Sequence, residues 1–465
     1  MTVSTAVTFN ADLMRRYDRA GPRYTSYPTA LQFRDEIEIG DYERAAATSR
    51  GALESLPLSL YVHIPFCLSP CFYCGCNKIV TRRLDRADAY VRNLHREISQ
   101  RSAYFGHGRR VEQMHFGGGT PTFLPRKLLI ELIDRIDHEF RLTDAESRDY
   151  SIEIDPRGVD DGMLQLLAAL GFNRLSLGVQ DFEESVQQAI NRVQPADTVA
   201  RVYGKARELG FRSINFDLIY GLPRQTPTTF EATLQRVIDM RPDRLAVYGY
   251  AHMPQVFKAQ RQIRSEELPD AAARLGLLQL AVDKLCAAGY IYIGLDHFAL
   301  PTDGLARAHR DGTLHRSFQG YTTHASHDLV NLGVSAIGQV GDLYVQNHKS
   351  IGDYEGAVGR GELPSRRGVR MSRDDRVRKD VIHEIMCNGR IDMNAVERRH
   401  DIRFDEYFAE ELRRLRGLQE DGLVDLHTDS VELTPVGRLL MRSVAMTFDA
   451  YLPNGQAPAR GSRVI

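Results

Sequence analysis

The feature that most restricts the fold of this chain is a recurring unit of short strand followed by amphipathic helix. Strand-like runs stand at LSLYVHI (58–64), VEQMHF (111–116), YSIEID (150–155), RLSLGV (174–179), SINFDLIY (213–220) and RLAVYGY (244–250). The stretches Ala87 to Ala103, Arg126 to Glu139, Ala196 to Leu209 and Thr228 to Met240 carry apolar residues three and four apart, the spacing of one helix face. Such units imply a parallel sheet with helices outside it. Two strands alternate in an informative way. Ser151, Glu153 and Asp155 share one face while Ile152 and Ile154 share the other, and Asn215 and Asp217 oppose Ile214, Phe216 and Leu218. A curved sheet explains this, its polar face lining a cavity and its apolar face meeting the helices. The alternative is an edge strand with one wet face, but parallel strands are normally covered on both sides.

The expected fold is therefore α/β, a partial (β/α)6 TIM-like barrel of parallel strands. Residues 1–55 show no strong period and form an N-terminal extension expected to lie over the active site; 56–300 form the barrel; 301–371 connect and complete it. QGYTTHASHDLVNLGVSAIG (319–338) reads as loop and turn. From Ser372 the pattern is helical again, so 372–465 is expected to be a smaller, mainly helical domain. Its end, LVDLH, a TDS turn, VELT and the helix-like PVGRLLMRSVAMTFDAYL, resembles a winged helix.

A chain of 465 residues with a formal charge of −1 and pI near 7 has no basic bias pointing to nucleic acid. Its first residues lack the basic start and apolar core of a signal peptide, and no stretch approaches the roughly 20 apolar residues of a membrane span. A cytoplasmic protein is expected. It is expected to be monomeric, since no apolar helix or strand stands out as an interface.

Six cysteines are too sparse for a disulfide scaffold, and four of them, Cys67, Cys71, Cys74 and Cys76, fall within ten residues. Cys286 and Cys387 stand alone in helical contexts as small hydrophobes. Cys67, Cys71 and Cys74 form a C-x3-C-x2-C loop directly after the first strand, and thiolates are soft ligands suited to iron–sulfur clusters. Three protein ligands for a four-iron, four-sulfur cluster leave one iron open to the amino and carboxylate groups of S-adenosylmethionine. Structural zinc would draw a second ligand pair, and no second C-x2-C follows. Cys76 is a candidate catalytic residue near a second cofactor or the substrate, or a bystander thiol. After the second strand, HFGGGTPT (115–122) places three glycines where backbone can approach a ligand closely, as in a methionine-binding loop. No Gly-Lys-Ser/Thr follows to make it a phosphate loop.

Over nearly its full length the chain resembles the oxygen-independent coproporphyrinogen III dehydrogenases (oxidases). The stretches that carry the resemblance are PRYTSYPTALQF, LYVHIPFC and CFYCGCNKIVT, HFGGGTPT, SIEIDPR, NRLSLGVQDF, DLIYGLP, YAHMP, DHFA, QGYTT, LGVSAIG and the final SRVI. The resemblance implies oxidative decarboxylation of the ring A and B propionates of coproporphyrinogen III to vinyls, giving protoporphyrinogen IX in haem synthesis. It implies two S-adenosylmethionine molecules. The first, on the cluster, would meet Tyr61, Gly118, Glu153 and Ile337; the second would meet Tyr73, Gly119, Thr120, Gln180, Arg192, Asp217 and Ala251. The reduced cluster would cleave the first to a 5′-deoxyadenosyl radical, which takes a hydrogen from the propionate β-carbon. A low-potential, flavodoxin-like electron donor is implied as a partner. Arg23 is a candidate clamp for the anionic tetrapyrrole. Asn331 departs from the family pattern, which has glycine there, and His324 and His327 have no derivable role. Two rival readings are a haem-binding chaperone and a haem-degrading enzyme of the same superfamily; Cys76 and PRYTSYPTA argue against the chaperone, and the degrading enzyme should lack the same N-terminal segment.

Overall fold

In a computed structural model, which describes residues 6–35, 37–53, 57–105, 109–324 and 328–452, the six expected strands form one continuous parallel sheet. They are β1 (Leu58–Ile64), β2 (Val111–Gly118), β3 (Asp149–Ile154), β4 (Arg174–Gln180), β5 (Ser213–Tyr220) and β6 (Arg244–Gly249). Each pairs in parallel with the next. Helices α1 (Leu84–Phe105), α2 (Arg126–Phe140), α3 (Asp161–Ala169), α4 (Ala196–Glu208), α5 (Pro227–Met240) and α6 (Ala271–Ala287) make the crossovers and cover the outer face. The start of α5 shows how the sequence sets a boundary. Thr226 and Thr229 form a reciprocal capping box, and Pro227 occupies a first-turn position where no N–H is needed.

Beyond β6 the sheet turns antiparallel through β7 (Ile291–Gly294) and β8 (His297–Ala299), with β8 paired to β6. On the other side the sheet continues through a region whose residues suggest no strands. The segment 319–338, expected to be loop and turn, contains β9 (Asp328–Leu332), parallel to β1, followed by β10 (Ile337–Val340), with Gly320–Thr322 a further short strand. The antiparallel strands β11 (Leu343–Asn347) and β12 (Ser365–Arg370) extend that side. β9 escaped notice because polar residues interrupt its apolar run, and their partners are remote in sequence: Asp328 is ion-paired to Arg109 at 2.6 Å, and Asn331 donates to Ala336 O and Asn347 Oδ1 at 3.0 Å each. Asn331 suits its position, with Gly338 leaving room for its side chain: a Cβ on that glycine would lie 2.5 Å from Asn331 Oδ1. The sheet stays open as a barrel, because its terminal parallel strands, β9 and β6, pair with β10 and β8 rather than with each other.

The C-terminal region carries α7 (Arg373–Asn388), β13 (Arg390–Asp392), α8 (Met393–His400), α9 (Ala409–Glu420), β14 (Val424–Leu426) and β15 (Ser430–Leu433). Its three antiparallel strands, in order β13-β15-β14, with these helices make the winged-helix-like end. The final apolar run is less helical than its composition suggests. Only Met441–Ala445 is α-helical, preceded by turns around Gly437, where a Cβ would meet Leu423 O at 1.8 Å. The N-terminal extension is pinned between this region and the barrel. Arg442 donates to Pro22 O and Gly21 O, Tyr24 bonds Asp449, and Arg23 is ion-paired to Asp296. Cys387 is buried and Cys286 half-buried, both packed as hydrophobes. His327 and the terminal SRVI lie outside the described residues.

Candidate active site

The polar faces of the barrel strands open onto a cavity of about 840 Å³. One wall is the cysteine loop. Cys67 ends a short strand, Phe66–Cys67, that pairs with Ile79–Val80 and so closes the loop on itself. Its sulfur accepts from Thr120 Oγ1 at 3.7 Å, and burial pushes its thiol up to about 11. Cys71 is buried beneath two guanidiniums, Arg192 at 3.5 Å and Arg157 at 3.9 Å from its sulfur. Cys74 is held down to about 5, chiefly by a hydrogen bond from the Cys76 thiol. Cys76 itself sits exposed at the rim, its backbone N–H 3.4 Å from the Cys74 sulfur. Among the described residues no three His, Cys, Asp or Glu side chains converge closely enough for a single metal ion. Three separated thiols along one cavity wall suit a multi-iron cluster, which takes its thiolates at different corners. The cationic and hydroxyl donors aimed at their sulfurs suit its negative charge.

The glycine run lies against this loop. Gly119 donates to Ile64 O at 2.8 Å, and a Cβ there would strike Pro65 and Phe66 backbone at 2.7–2.8 Å, so only glycine lets β2 approach the cysteine loop this closely. Gly118 has φ +117° and donates to Glu153 Oε2 at 3.1 Å. Glu153 is 42% exposed, with a second, longer contact to His115 Nε2 at 3.4 Å. His115 in turn bonds Ser151 at 2.7 Å and stacks on Tyr61. Tyr61 bonds His63 Nδ1 at 3.1 Å, and His63 Nε2 bonds Asn77 O at 3.0 Å, so His63 ties β1 to the end of the cysteine loop.

Across the cavity, Asp217 on β5 accepts from Ser176 and Asn215, each at 2.9 Å. Burial and the neighbouring Glu153 push its carboxyl up to about 7. Arg192 is buried and donates to Gly178 O at 2.7 Å and Asp155 at 3.0 Å, so it is no surface arginine. Gln180, at φ +67°, projects beside it. Tyr73 lines the same wall, its carbonyl accepting from Gln260.

Of the residues singled out from the sequence, the three cysteines, Cys76, Tyr73, Gly118, Gly119, Thr120, Glu153, Gln180, Arg192 and Asp217 line one cavity. Three stand outside its wall. Tyr61 lies behind His115, the Ala251 carbonyl accepts from Gln260, and Ile337 packs in a cluster with Phe33 and Tyr344. His324 lies 3.8 Å from Asp149. Sequence reasoning overlooked the opposite end of the cavity, where Arg174, Arg244 and His297 line the wall. The signal was present in RLAVYGY, whose Arg244, Ala246 and Tyr248 share one strand face.

Residues 61–237 match the family model of the radical SAM superfamily, and residues 371–440 that of the HemN C-terminal domain. The chain is 50% identical over 459 residues to the oxygen-independent coproporphyrinogen III oxidase of Pseudomonas aeruginosa, covering 99% of each. It is 46% identical over 460 residues to that of Escherichia coli, again covering 99% of each. The solved coproporphyrinogen III oxidase of Escherichia coli, a radical SAM enzyme, superposes with a TM-score of 0.91 at 45% identity, covering 96% of this chain and all of that one.

Proposed function

The chain belongs to the oxygen-independent coproporphyrinogen III oxidases of the radical SAM superfamily, and we propose that it converts the ring A and B propionates of coproporphyrinogen III to vinyls, giving protoporphyrinogen IX for haem synthesis. The observation that carries this reading is the three thiols and the glycine run on one cavity wall, in a chain alike to the named oxidases from end to end. Its cofactors are a four-iron, four-sulfur cluster and S-adenosylmethionine. Bound together, they supply reductive cleavage of a sulfonium carbon–sulfur bond and hence a carbon radical able to abstract hydrogen.

Cys67, Cys71 and Cys74 hold the cluster in this reading. Gly118 and Glu153, with Tyr61 and Ile337 behind them, orient the S-adenosylmethionine nearest it. A second molecule lies against Tyr73, Gly119, Thr120, Gln180, Arg192, Asp217 and Ala251. Arg192, already bonded to Asp155, acts through its fixed position rather than as a mobile clamp. Asp217 sits where it can accept from a ribose hydroxyl or an ammonium. Each propionate would lose one hydrogen atom from its β-carbon to the carbon radical, then carbon dioxide, with the remaining electron passing to an external electron acceptor. The walls keep water and oxygen from the reacting carbon. A low-potential, flavodoxin-like protein supplies electrons, and the enzyme works as a cytoplasmic monomer; among the described residues no helix is long and apolar enough to cross a membrane.

The test is anaerobic incubation of reconstituted protein with coproporphyrinogen III, S-adenosylmethionine and a reductant. Protoporphyrinogen IX and two carbon dioxide molecules per substrate are expected. Tight haem binding without either product would favour the chaperone reading instead.

A further inference from the structure

The arginine end of the cavity has no part in the chemistry described above; its Arg174 and Arg244 are charge-paired to Asp149 and Asp303, yet buried N–H groups around it are left without acceptors among the described residues. On β6, Arg244, Ala246 and Tyr248 face the cavity in succession, and Ala246 is paired in register with His297 on β8. The small Ala246 leaves a recess flanked by a guanidinium, a phenol and an imidazole. Arg244 uses its Nε on Asp303 at 2.8 Å, while its buried Nη2 has no partner among the described residues. The same holds for His297 Nδ1, although the ring is fixed edge-on between Tyr248 and Tyr321. Behind it stand Arg316, over the Tyr321 ring at 4.6 Å, and Arg23, over the Tyr248 ring at 5.7 Å. Arg23 is neutralised by Asp296, whereas the Arg316 guanidinium bonds a backbone carbonyl and, among the described residues, its buried Nε and Nη1 have no partner. Burial first, and then these cations, hold His297 well below the ordinary imidazole range, so the ring is neutral.

Such a recess calls for an anion. Unmet donors in a low-dielectric, positive pocket are costly until a carboxylate or similar group accepts from them. Its position in the barrel says which carboxylate. The recess at Ala246 lies midway along β6, whereas the cysteine loop follows the carboxyl end of β1 on the other side of the barrel, so along the strand direction the two are offset by roughly 10 Å at ~3.3 Å per residue. A group held there is remote from the reacting carbon, and a charge-paired carboxylate is also the least ready to leave as carbon dioxide.

We propose that the recess above Ala246, walled by Arg244, Tyr248 and His297, is a carboxylate subsite that holds a propionate the reaction leaves intact. The inference rests on the proposed tetrapyrrole substrate and adds the residues that orient it. In this arrangement Arg244 and His297 donate to the two carboxylate oxygens, and Arg316 supplies the balancing charge from behind.

Binding of coproporphyrin III and of its tetramethyl ester to the reconstituted protein, followed by porphyrin fluorescence, separates the subsite from mere packing. His297→Phe keeps the aromatic contacts and the Arg244–Asp303 pair. It is expected to weaken the free acid about 10-fold, and Arg244→Gln about 30-fold or more, while the ester binds wild type and both variants alike. Ala246→Leu fills the recess and should raise KM for coproporphyrinogen III more than it lowers kcat. Equal affinity of wild type and His297→Phe for the acid, or equal losses for acid and ester, overturns the subsite. Because wild-type turnover is scored separately, protoporphyrinogen formation with unaffected variants sinks the subsite alone. Selective loss of acid binding without wild-type turnover upholds the subsite and sinks the substrate assignment.

Discussion

Two glutamates on the two faces of the barrel show what separates architecture from chemistry in this molecule. Glu97, on α1 outside the sheet, is wholly buried and saturated. Its Oε1 accepts from Arg101 and Asn347 at 2.9 and 2.7 Å, its Oε2 from Gly333 N and Tyr354 at 2.7 Å each. Glu153, inside the barrel, is 42% exposed, with one backbone donor at 3.1 Å and a long contact to His115. The first has no capacity left for a ligand, and the second has little else to do. A buried carboxylate whose lone pairs are all taken locks α1 to β9–β11, whereas an undersupplied one facing a cavity is held ready for something that arrives.

Substitutions should pull the two apart. Replacing Arg101 by Leu leaves Glu97 charged and uncompensated, and should cost about 3–5 kcal/mol in urea unfolding while sparing specific activity of the folded fraction. Glu153→Gln should leave stability within about 0.5 kcal/mol yet weaken S-adenosylmethionine by about 10-fold or more in equilibrium dialysis. A large stability loss there would erase the contrast. Gly118→Ala should fall between them. Its φ is unfavourable and the new Cβ would lie 2.7 Å from the His63 ring, so a loss of about 1–3 kcal/mol accompanied by impaired cofactor binding is expected.

The smallest effect concerns pH. Asp217 is raised to about 7, first by burial and then by Glu153, against an ordinary 3.8. A carboxyl raised on folding contributes stability at acid pH, below its unfolded value, and that contribution is lost as pH rises through about 7. Urea midpoints of Asp217→Asn and wild type should therefore diverge in the variant's favour between about pH 4 and pH 8, in protein free of nucleoside. Parallel curves would mean that Asp217 is better solvated than its position implies.

Much of this was legible in the chain itself, for definite reasons. The six barrel strands announce themselves because apolar residues pack under the helices on one face, as with Ile152, Ile154, Phe216 and Leu218, while polar ones line the cavity. The cysteines and the Gly118–Thr120 run are contiguous motifs. β9 was illegible because Asp328 and Asn331 read as loop residues until Arg109, Asn347 and Ala336 are brought to them from afar. The arginine end was missed for a similar reason. The alternation of RLAVYGY places Arg244 on the cavity face, but His297 and Arg316 come from two other segments, and nothing local marks the three as neighbours.

The account depends most on the cysteine wall, and counting iron in single-cysteine variants tests it most directly. After anaerobic reconstitution, wild type and Cys76→Ser should each hold about four irons with full visible absorption, while serine at Cys67, Cys71 or Cys74 should lose the cluster and all protoporphyrinogen formation. Retention of a complete four-iron cluster in Cys74→Ser, or its loss in Cys76→Ser alone, would contradict a site with three ligands and one open iron.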